Sequence, residues 1–372
     1  YKSYTVFVNG DAMGKSLQGA GGALVLGVVF NAYVSQTKHN SGGQDASPEK
    51  WLMDCYNQLN RVFGSFDGRM LISVIIGIID IETGLMYYLN LGHPWPIIYR
   101  NKTAEFIDDD TINQKLGIED EDDVVKIQLH KLEHNDIVFI GSDGKDDIMV
   151  GTHDETGSKI INEDEKKFLS LIEKTKGNMD AMVSELENYG EITDDISLIK
   201  LTCKKEKQEN RKTDEFVSLI NKAELAIKNK KFEEAVGHYE SALKLYKDIE
   251  IFDSLCYCYK EMNNMEQEAR ALERALWFFP EKIDYMYRAS LIYKRLYHYN
   301  EAAYYGERFR MHNPEHIYNL ISLADTYRLK EEFNTALSII NQAEQIENNN
   351  NNILELKNVI HKSIDSKKKS TS

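Results

Sequence analysis

From residue 213 onwards, small residues return at a nearly constant interval: Ala223, Cys256, Ser290 and Ala324 lie 33, 34 and 34 residues apart. Ala235, Glu268, Ala302 and Ala336 follow twelve residues behind that set, and Ala226, Tyr259, Tyr293 and Tyr327 follow three behind it. Pro280 and Pro314 recur at the same interval. A period of this length is the mark of a solenoid built from helix pairs. Small side chains let paired helices approach, tyrosines fill the space between units, and proline stops the second helix. Glu268 stands where a small residue is expected, which weakens the helix contact in the second unit without breaking the period.

The first half has a different texture. Strand-like runs are expected at Tyr4 to Val8, Leu71 to Ile81, Met86 to Leu91, Val124 to Leu129, Ile137 to Ile140 and Ile196 to Leu201. Helices are expected at Leu17 to Val34 and Pro48 to Phe63. The strands are β-branched and joined by short turns such as Glu82-Thr83-Gly84, which favours antiparallel pairing over βαβ crossovers. The fold class expected is therefore α+β for residues 1–203. A charged linker over 204–212 follows, then an all-α repeat domain over 213–365 that includes a capping helix from Asn352 to Asp365, and a disordered tail over 366–372.

Three aspartates stand at strand-to-loop junctions of the first half: Asp11 after Val6 to Val8, Asp143 after Ile137 to Ile140, and Asp194 before Ile196 to Ile199. Hard cations such as Mg²⁺ and Mn²⁺ take oxygen ligands, and holding a pair of them requires several carboxylates converging from separate strands. One Asp-Gly word is ordinary turn chemistry, but three strand ends point to a metal-dependent phosphatase. The segment Asn9 to Ser16 nearly matches a phosphate-binding loop, yet Asn9 replaces the required first glycine, and Asp11 would put a carboxylate in an anion cradle. His130 and His134 run into the Asn135-Asp136 turn, which excludes a helical zinc face. Asp146 and Asp147 follow the Ser-Asp-Gly word and are read as surface turn residues, with assistance to the site as the alternative, and Asp195 is expected to point away if Asp194 points inward.

Composition removes other classes. The net charge of −15 over 372 residues, with eight carboxylates and one Lys between Asp108 and Asp123, argues against a nucleic-acid partner. Four cysteines, at 55, 203, 256 and 258, form no CxxC pair and suit a reduced cytoplasmic compartment. No run of 18 apolar residues and no leader are apparent, so membrane insertion by this segment is not expected. Tyr4 to Val8 reads as a strand already in progress, so the first domain is expected to be incomplete at its N-terminus.

Five words in order carry a resemblance to the protein phosphatase 2C superfamily (PPM type), in particular its bacterial stage II sporulation branch. They are Gly10-Asp11-Ala12-Met13-Gly14-Lys15, Leu89-Asn90-Leu91-Gly92-His93-Pro94, Leu116-Gly117, Ser142-Asp143-Gly144 and Asp194-Asp195-Ile196-Ser197. The resemblance covers about Tyr4 to Leu201 and implies an antiparallel β-sandwich flanked by helices with a dinuclear Mn²⁺ or Mg²⁺ centre at one edge. It implies that Asp11 bridges both ions, that the Ala12 carbonyl and Asp143 hold one, and that Asp194 holds the other. Water shared by the ions would then attack a phosphoserine or phosphothreonine in line. Lys15 replaces the family's histidine and is a candidate contact to substrate phosphate. Asn90, His93 and Gly144 are implied as structural residues near the site. The resemblance implies a further acidic ligand before Asp11, none of the residues there is acidic, and that ligand is expected upstream of Tyr1.

Residues 213–348 resemble four tetratricopeptide repeats, which implies a concave surface for a protein or peptide partner. Together the resemblances imply a cytoplasmic serine/threonine protein phosphatase acting on a phosphoprotein, such as a phosphorylated anti-sigma-factor antagonist, and they allow for a homodimer. The competing expectation is an inactive phosphatase-fold scaffold that binds partners through its repeats.

Overall fold

The computed structural model describes residues 2–14, 17–39, 47–107, 113–118, 125–152, 159–162, 164, 166–204 and 212–371. The chain divides into two compact units, Tyr1–Lys207 and Gln208–Ser372.

In the first unit, β1 (Tyr4–Ala12) pairs antiparallel with β2 (Ile72–Asp80), which pairs with β3 (Leu85–Leu91) and through it with β6 (Gln128–Lys131). A second four-stranded sheet runs β11 (Leu198–Thr202), β7 (Ile137–Gly141), β4 (Ile97–Arg100), β5 (Thr103–Phe106), also antiparallel. Alternation along each strand sends one set of side chains between the sheets. Phe7, Ile75, Met86 and Tyr88 from the first sheet meet Ile98, Val138 and Ile140 from the second in a single apolar core.

Helices α1 (Leu17–His39) and α2 (Pro48–Gly64) cover the first sheet; α3 (Lys167–Thr175) and α4 (Met179–Tyr189) bury Phe168, Leu171, Ile172, Met182 and Leu186 with Ile97 and Phe139 of the second. A small sheet of β10 (Glu191–Ile192), β8 (Ile148–Thr152) and β9 (Lys159–Ile161) completes the unit. It is an α+β sandwich with helices on both faces. Ser47 caps α2 by accepting from the Lys50 amide, with Pro48 at the first helical position. Gly22 of α1 serves packing: a Cβ there would lie 2.9 Å from both the Ala12 Cβ and the Ile72 Cδ1, so only glycine lets the helix settle this close to the sheet.

Among the described residues one helix, Gln18–Lys38, is long and apolar enough to cross a membrane by length and composition, a test that the core helix of a soluble protein passes as well. Alanine, glycine and isolated Gln and Asn break its strictly apolar runs without lowering its mean hydropathy below that level. One side of it, with Leu26, Phe30 and Tyr33, is buried in the first unit, while Leu24 and Val28 are exposed. The tail expected over 366–372 instead continues the last helix, which runs Asn351–Thr371. Lysine is a good helix former, the Ser366 hydroxyl donates to the Lys362 carbonyl, and Lys367 pairs with Glu331 at 2.8 Å.

The second unit is four helix pairs, α5 (Asp214–Lys228) with α6 (Phe232–Leu245), α7 (Ile249–Glu261) with α8 (Met265–Phe278), α9 (Ile283–Arg295) with α10 (Tyr299–His312), and α11 (Ile317–Leu329) with α12 (Phe333–Ile346), followed by α13 (Asn351–Thr371). Ala223, Cys256, Ser290 and Ala324 are all buried in it. Each within-pair turn holds one residue in the left-handed region: Lys230, Asn263, Tyr297 and Glu331, spaced 33, 34 and 34 apart like the small residues. Glu268 is buried at its small-residue position, and its carboxyl is pushed up by burial while Arg288, 3.9 Å away, draws it down.

Candidate metal centre

Phe7, Asn9 and Asp11 share one face of β1 by strand alternation. Phe7 joins the core between the sheets, Asn9 is buried further along, and Asp11 emerges half-buried at the open end, in register with Ser73 of β2. Ala12 ends the strand beside it.

Asp143 begins a single 3₁₀ turn, Asp143–Lys145, directly after β7 and Ser142. The turn closes through the amides of Asp146 and Asp147 donating to the Asp143 carbonyl at 2.7 and 3.1 Å. This one turn carries Asp147 back to the side of Asp143. Gly144 at its centre is required by space, since a Cβ there would lie 2.4 Å from the Asp195 carbonyl oxygen. Asp194 lies in the loop between β10 and β11, and Thr193 ties that loop to the turn by donating its amide and hydroxyl to the Asp147 carbonyl at 3.2 and 2.7 Å.

The carboxylate oxygens of Asp143, Asp147 and Asp194 consequently lie within 4.8 Å of one another. Burial first, then the charges of Asp143 and Asp194, hold the Asp11 carboxyl above the ordinary carboxylate range, against the Ala12 amide, which lowers it. Asp147 is likewise pushed up, by burial first and then by Asp143 and Asp194. Three carboxylates this close, with Asp11 within reach of their charges, are the kind of oxygen donor set a hard divalent cation takes, and a bound cation would relieve the repulsion. The residues present therefore fit Mg²⁺ or Mn²⁺.

The expected residues divide as follows. Asp143 and Asp194 come together, and Asp11 stands outside their 4.8 Å cluster but within reach of their charges. Asp147, for which a surface turn is the first expectation and assistance to the site the alternative, stands with Asp143 and Asp194, and its signal in the sequence is its i+4 spacing from Asp143 through a glycine. Asp146 instead accepts from the Nζ of Lys145, a buried lysine that also sits 5.8 Å from the Phe168 ring centroid. Asp195 contributes its amide to the Asp194 carboxylate at 2.8 Å and its carbonyl to the Ser142 hydroxyl at 3.2 Å. Lys15 lies outside the described residues.

Asn90 is buried and accepts from the His93 amide at 2.9 Å, shaping the Gly92 turn, while the His93 Nδ1 lies 3.0 Å from the Ser73 hydroxyl, opposite Asp11. Burial holds the His93 imidazole down to about 4, so it is neutral at pH 7. It is not a proton donor at that pH; it fixes the loop.

Among solved structures, the chain resembles the RsbU and RsbW domains of Rv1364c from Mycobacterium tuberculosis at 15% identity, covering 66% of this chain and 68% of that one, with a TM-score of 0.41. It also resembles MamA AMB-1 at 17% identity, over 40% of this chain and 82% of that one with a TM-score of 0.33. The tetratricopeptide-repeat protein YrrB matches at 17% identity, over 38% and 74%, with a TM-score of 0.32. No curated protein sequence matches the chain. The profile of the stage II sporulation protein E (SpoIIE) family matches residues 2–204, more than half of the sequence and the whole sandwich from β1 to β11, and the chain belongs to that family.

Proposed function

We propose that the first unit is a divalent-metal-dependent serine/threonine protein phosphatase and that the helical repeats bind a protein or peptide partner. The observation that carries the reading is the convergence of Asp143, Asp147 and Asp194 within 4.8 Å, with their charges reaching Asp11 on the neighbouring strand end. Without cations such a cluster repels a phosphoryl dianion, so an acidic pocket suits a phosphate ester only as a metal carrier. Asp11, the Ala12 carbonyl, Asp143 and Asp194 are the proposed ligands of two Mn²⁺ or Mg²⁺ ions, with Asp147 as an additional acidic neighbour. Ions held there supply charge neutralisation at the phosphoryl group and acidify water.

The chain's own residues then have defined tasks. Asp11 and Asp143 bring carboxylates from two different sheets to one edge of the sandwich. Lys145 holds Asp146 away from the cluster. Neutral His93, with Asn90 and Ser73, keeps the loop after β3 packed against the Asp11 strand. A phosphorylated anti-sigma-factor antagonist remains the proposed substrate class.

The test is Mn²⁺-dependent phosphate release from a phosphoserine peptide. Asp143→Asn is expected to lose several kcal/mol of transition-state stabilisation, about a hundredfold or more in rate. Unchanged turnover in Asp143→Asn would refute the assignment.

A further inference from the structure

The three chain segments that carry Asp11, Asp143 and Asp194 all meet one neutral side chain, the buried amide of Asn9. Asn9 lies on β1 two residues before Asp11 and is 5% exposed. Its Nδ2 donates to the Ile140 carbonyl at 3.1 Å, three residues before Asp143 on the opposite sheet. Its Oδ1 accepts from the Ser197 hydroxyl at 2.8 Å, three residues after Asp194. We propose that Asn9 is the positioning residue of the acidic centre: it sets the distance between the two sheets at the site and holds the Asp194 loop inward.

The physical need is specific. Carboxylates brought this close in the metal-free protein push one another apart, and Asp194 is the one on a loop, so it is free to swing out unless something neutral holds it. A charged side chain at position 9 would add to the field, and an aliphatic one could reach neither partner. A side-chain amide offers two N–H donors and a carbonyl acceptor in fixed geometry, and Asn9 uses one donor and the acceptor to join the two segments. The loop is laced further to the Asp143 segment: the Ser142 amide donates to the Ser197 carbonyl at 3.0 Å and the Ser197 amide to the Ser142 hydroxyl at 3.0 Å. Asn9 adds the strand of Asp11 to this lacing, so that the three segments move as one. Residues that orient metal ligands without touching the metal typically carry 10–100-fold in affinity.

The inference rests on the proposed metal-dependent reading, and two measurements separate their failures. Mn²⁺ titration calorimetry on the full chain is expected to show Asn9→Leu and Ser197→Ala binding about tenfold or more weakly than wild type, with Ser197→Thr, which keeps the hydroxyl, restoring affinity. Amide exchange on the metal-free protein is expected to show the Ser197 amide losing protection in Asn9→Leu while the β2 and β3 amides keep theirs, a pattern that general destabilisation would not produce. Ser197 is exposed, so Ser197→Ala reports even where Asn9→Leu folds poorly. Wild-type Mn²⁺ binding that is abolished by Asp143→Asn but unaltered by both Asn9→Leu and Ser197→Ala would overturn this inference alone. Unchanged protection of the Ser197 amide would also overturn it. Failure of the wild-type chain to bind Mn²⁺ would overturn the phosphatase reading and the positioning role with it.

Discussion

Replacing Asp143 by asparagine should stabilise the metal-free first unit while removing its response to metal. The three oxygens lie within 4.8 Å of each other. Two unit charges at that separation repel by about 0.9 kcal/mol in water, and screening at 0.15 M salt reduces this to roughly 0.5 kcal/mol per pair. Asp143→Asn removes its repulsion with Asp147 and with Asp194, and part of that with Asp11. Because Asp11 and Asp147 are partly buried, the effective dielectric is below that of water, and the expected gain is about 1–2 kcal/mol. The assay is native-state amide exchange at β2 and β3, the buried core strands of the first unit, in the presence of a chelator. Saturating Mn²⁺ should reverse the order: at a hundred times the dissociation constant the wild type gains about 2.7 kcal/mol and the variant far less. The difference without metal should shrink in 1 M salt, where the screening length is about 3 Å. Asp195→Asn, outside the cluster, should change little. An Asp143→Asn protein no more stable than wild type without metal, or equally stabilised by Mn²⁺, would refute the idea that these carboxylates are held together against their mutual charge.

Other consequences can be measured separately. Asp11 has a folded-state pKa above its unfolded one, so the metal-free folded state binds the extra proton and loses stability as pH rises from about 3.8 through the raised value; Asp11→Asn should match wild type near pH 3 and exceed it at pH 7 in the same exchange assay. His93 has the opposite sign: its contribution is complete above pH 6.5 and lost as pH falls through about 4, and an imidazole resonance titrating near 6.5 would contradict its burial. Gly27→Ala, with open space around the new Cβ, should stabilise α1 by about 0.5–1 kcal/mol, whereas Gly22→Ala should destabilise the unit by about 1 kcal/mol by forcing the helix off Ala12 and Ile72, both read by thermal unfolding. Glu268→Ala removes a buried carboxylate and leaves Arg288 its contact with Asp253 at 3.2 Å, so the repeats should become more stable by up to about 1 kcal/mol in urea; a loss would show that Glu268 holds the second pair together.

What the sequence disclosed follows from how far each signal reaches along the chain. The repeat period was legible because identical environments recur, so Ala223, Cys256, Ser290 and Ala324 report one packing constraint four times. Strands β2, β3 and β7 were legible because burial on both faces leaves near-continuous apolar runs. The β4–β5 hairpin was missed: its turn, Asn101-Lys102, has both residues at positive φ but lacks the glycine that marks such turns. Helices α3 and α4 were missed because they are short, and their apolar residues are separated by charged ones that read as loop.

The same distinction of reach explains the site. Asp11, Asp143 and Asp194 could be picked out one by one, as acids at the ends of apolar strands, because each strand announces its own end. Their agreement in space is not a property of any strand. On β1 a single face passes from Phe7 in the core, through Asn9 at the crossing between sheets, to Asp11 at the rim. Only the first and last of those have a type that fits a simple rule, apolar inside and acid at the edge. Asn9 looked like a failed phosphate-loop glycine because its two partners, Ile140 and Ser197, lie 131 and 188 residues away. A polar residue on the buried face of a strand, one alternation before a candidate ligand, is therefore itself a signal: an unpaired buried amide costs a few kcal/mol, so its presence requires partners on other segments, and the segments that can supply them are those bearing the remaining ligands.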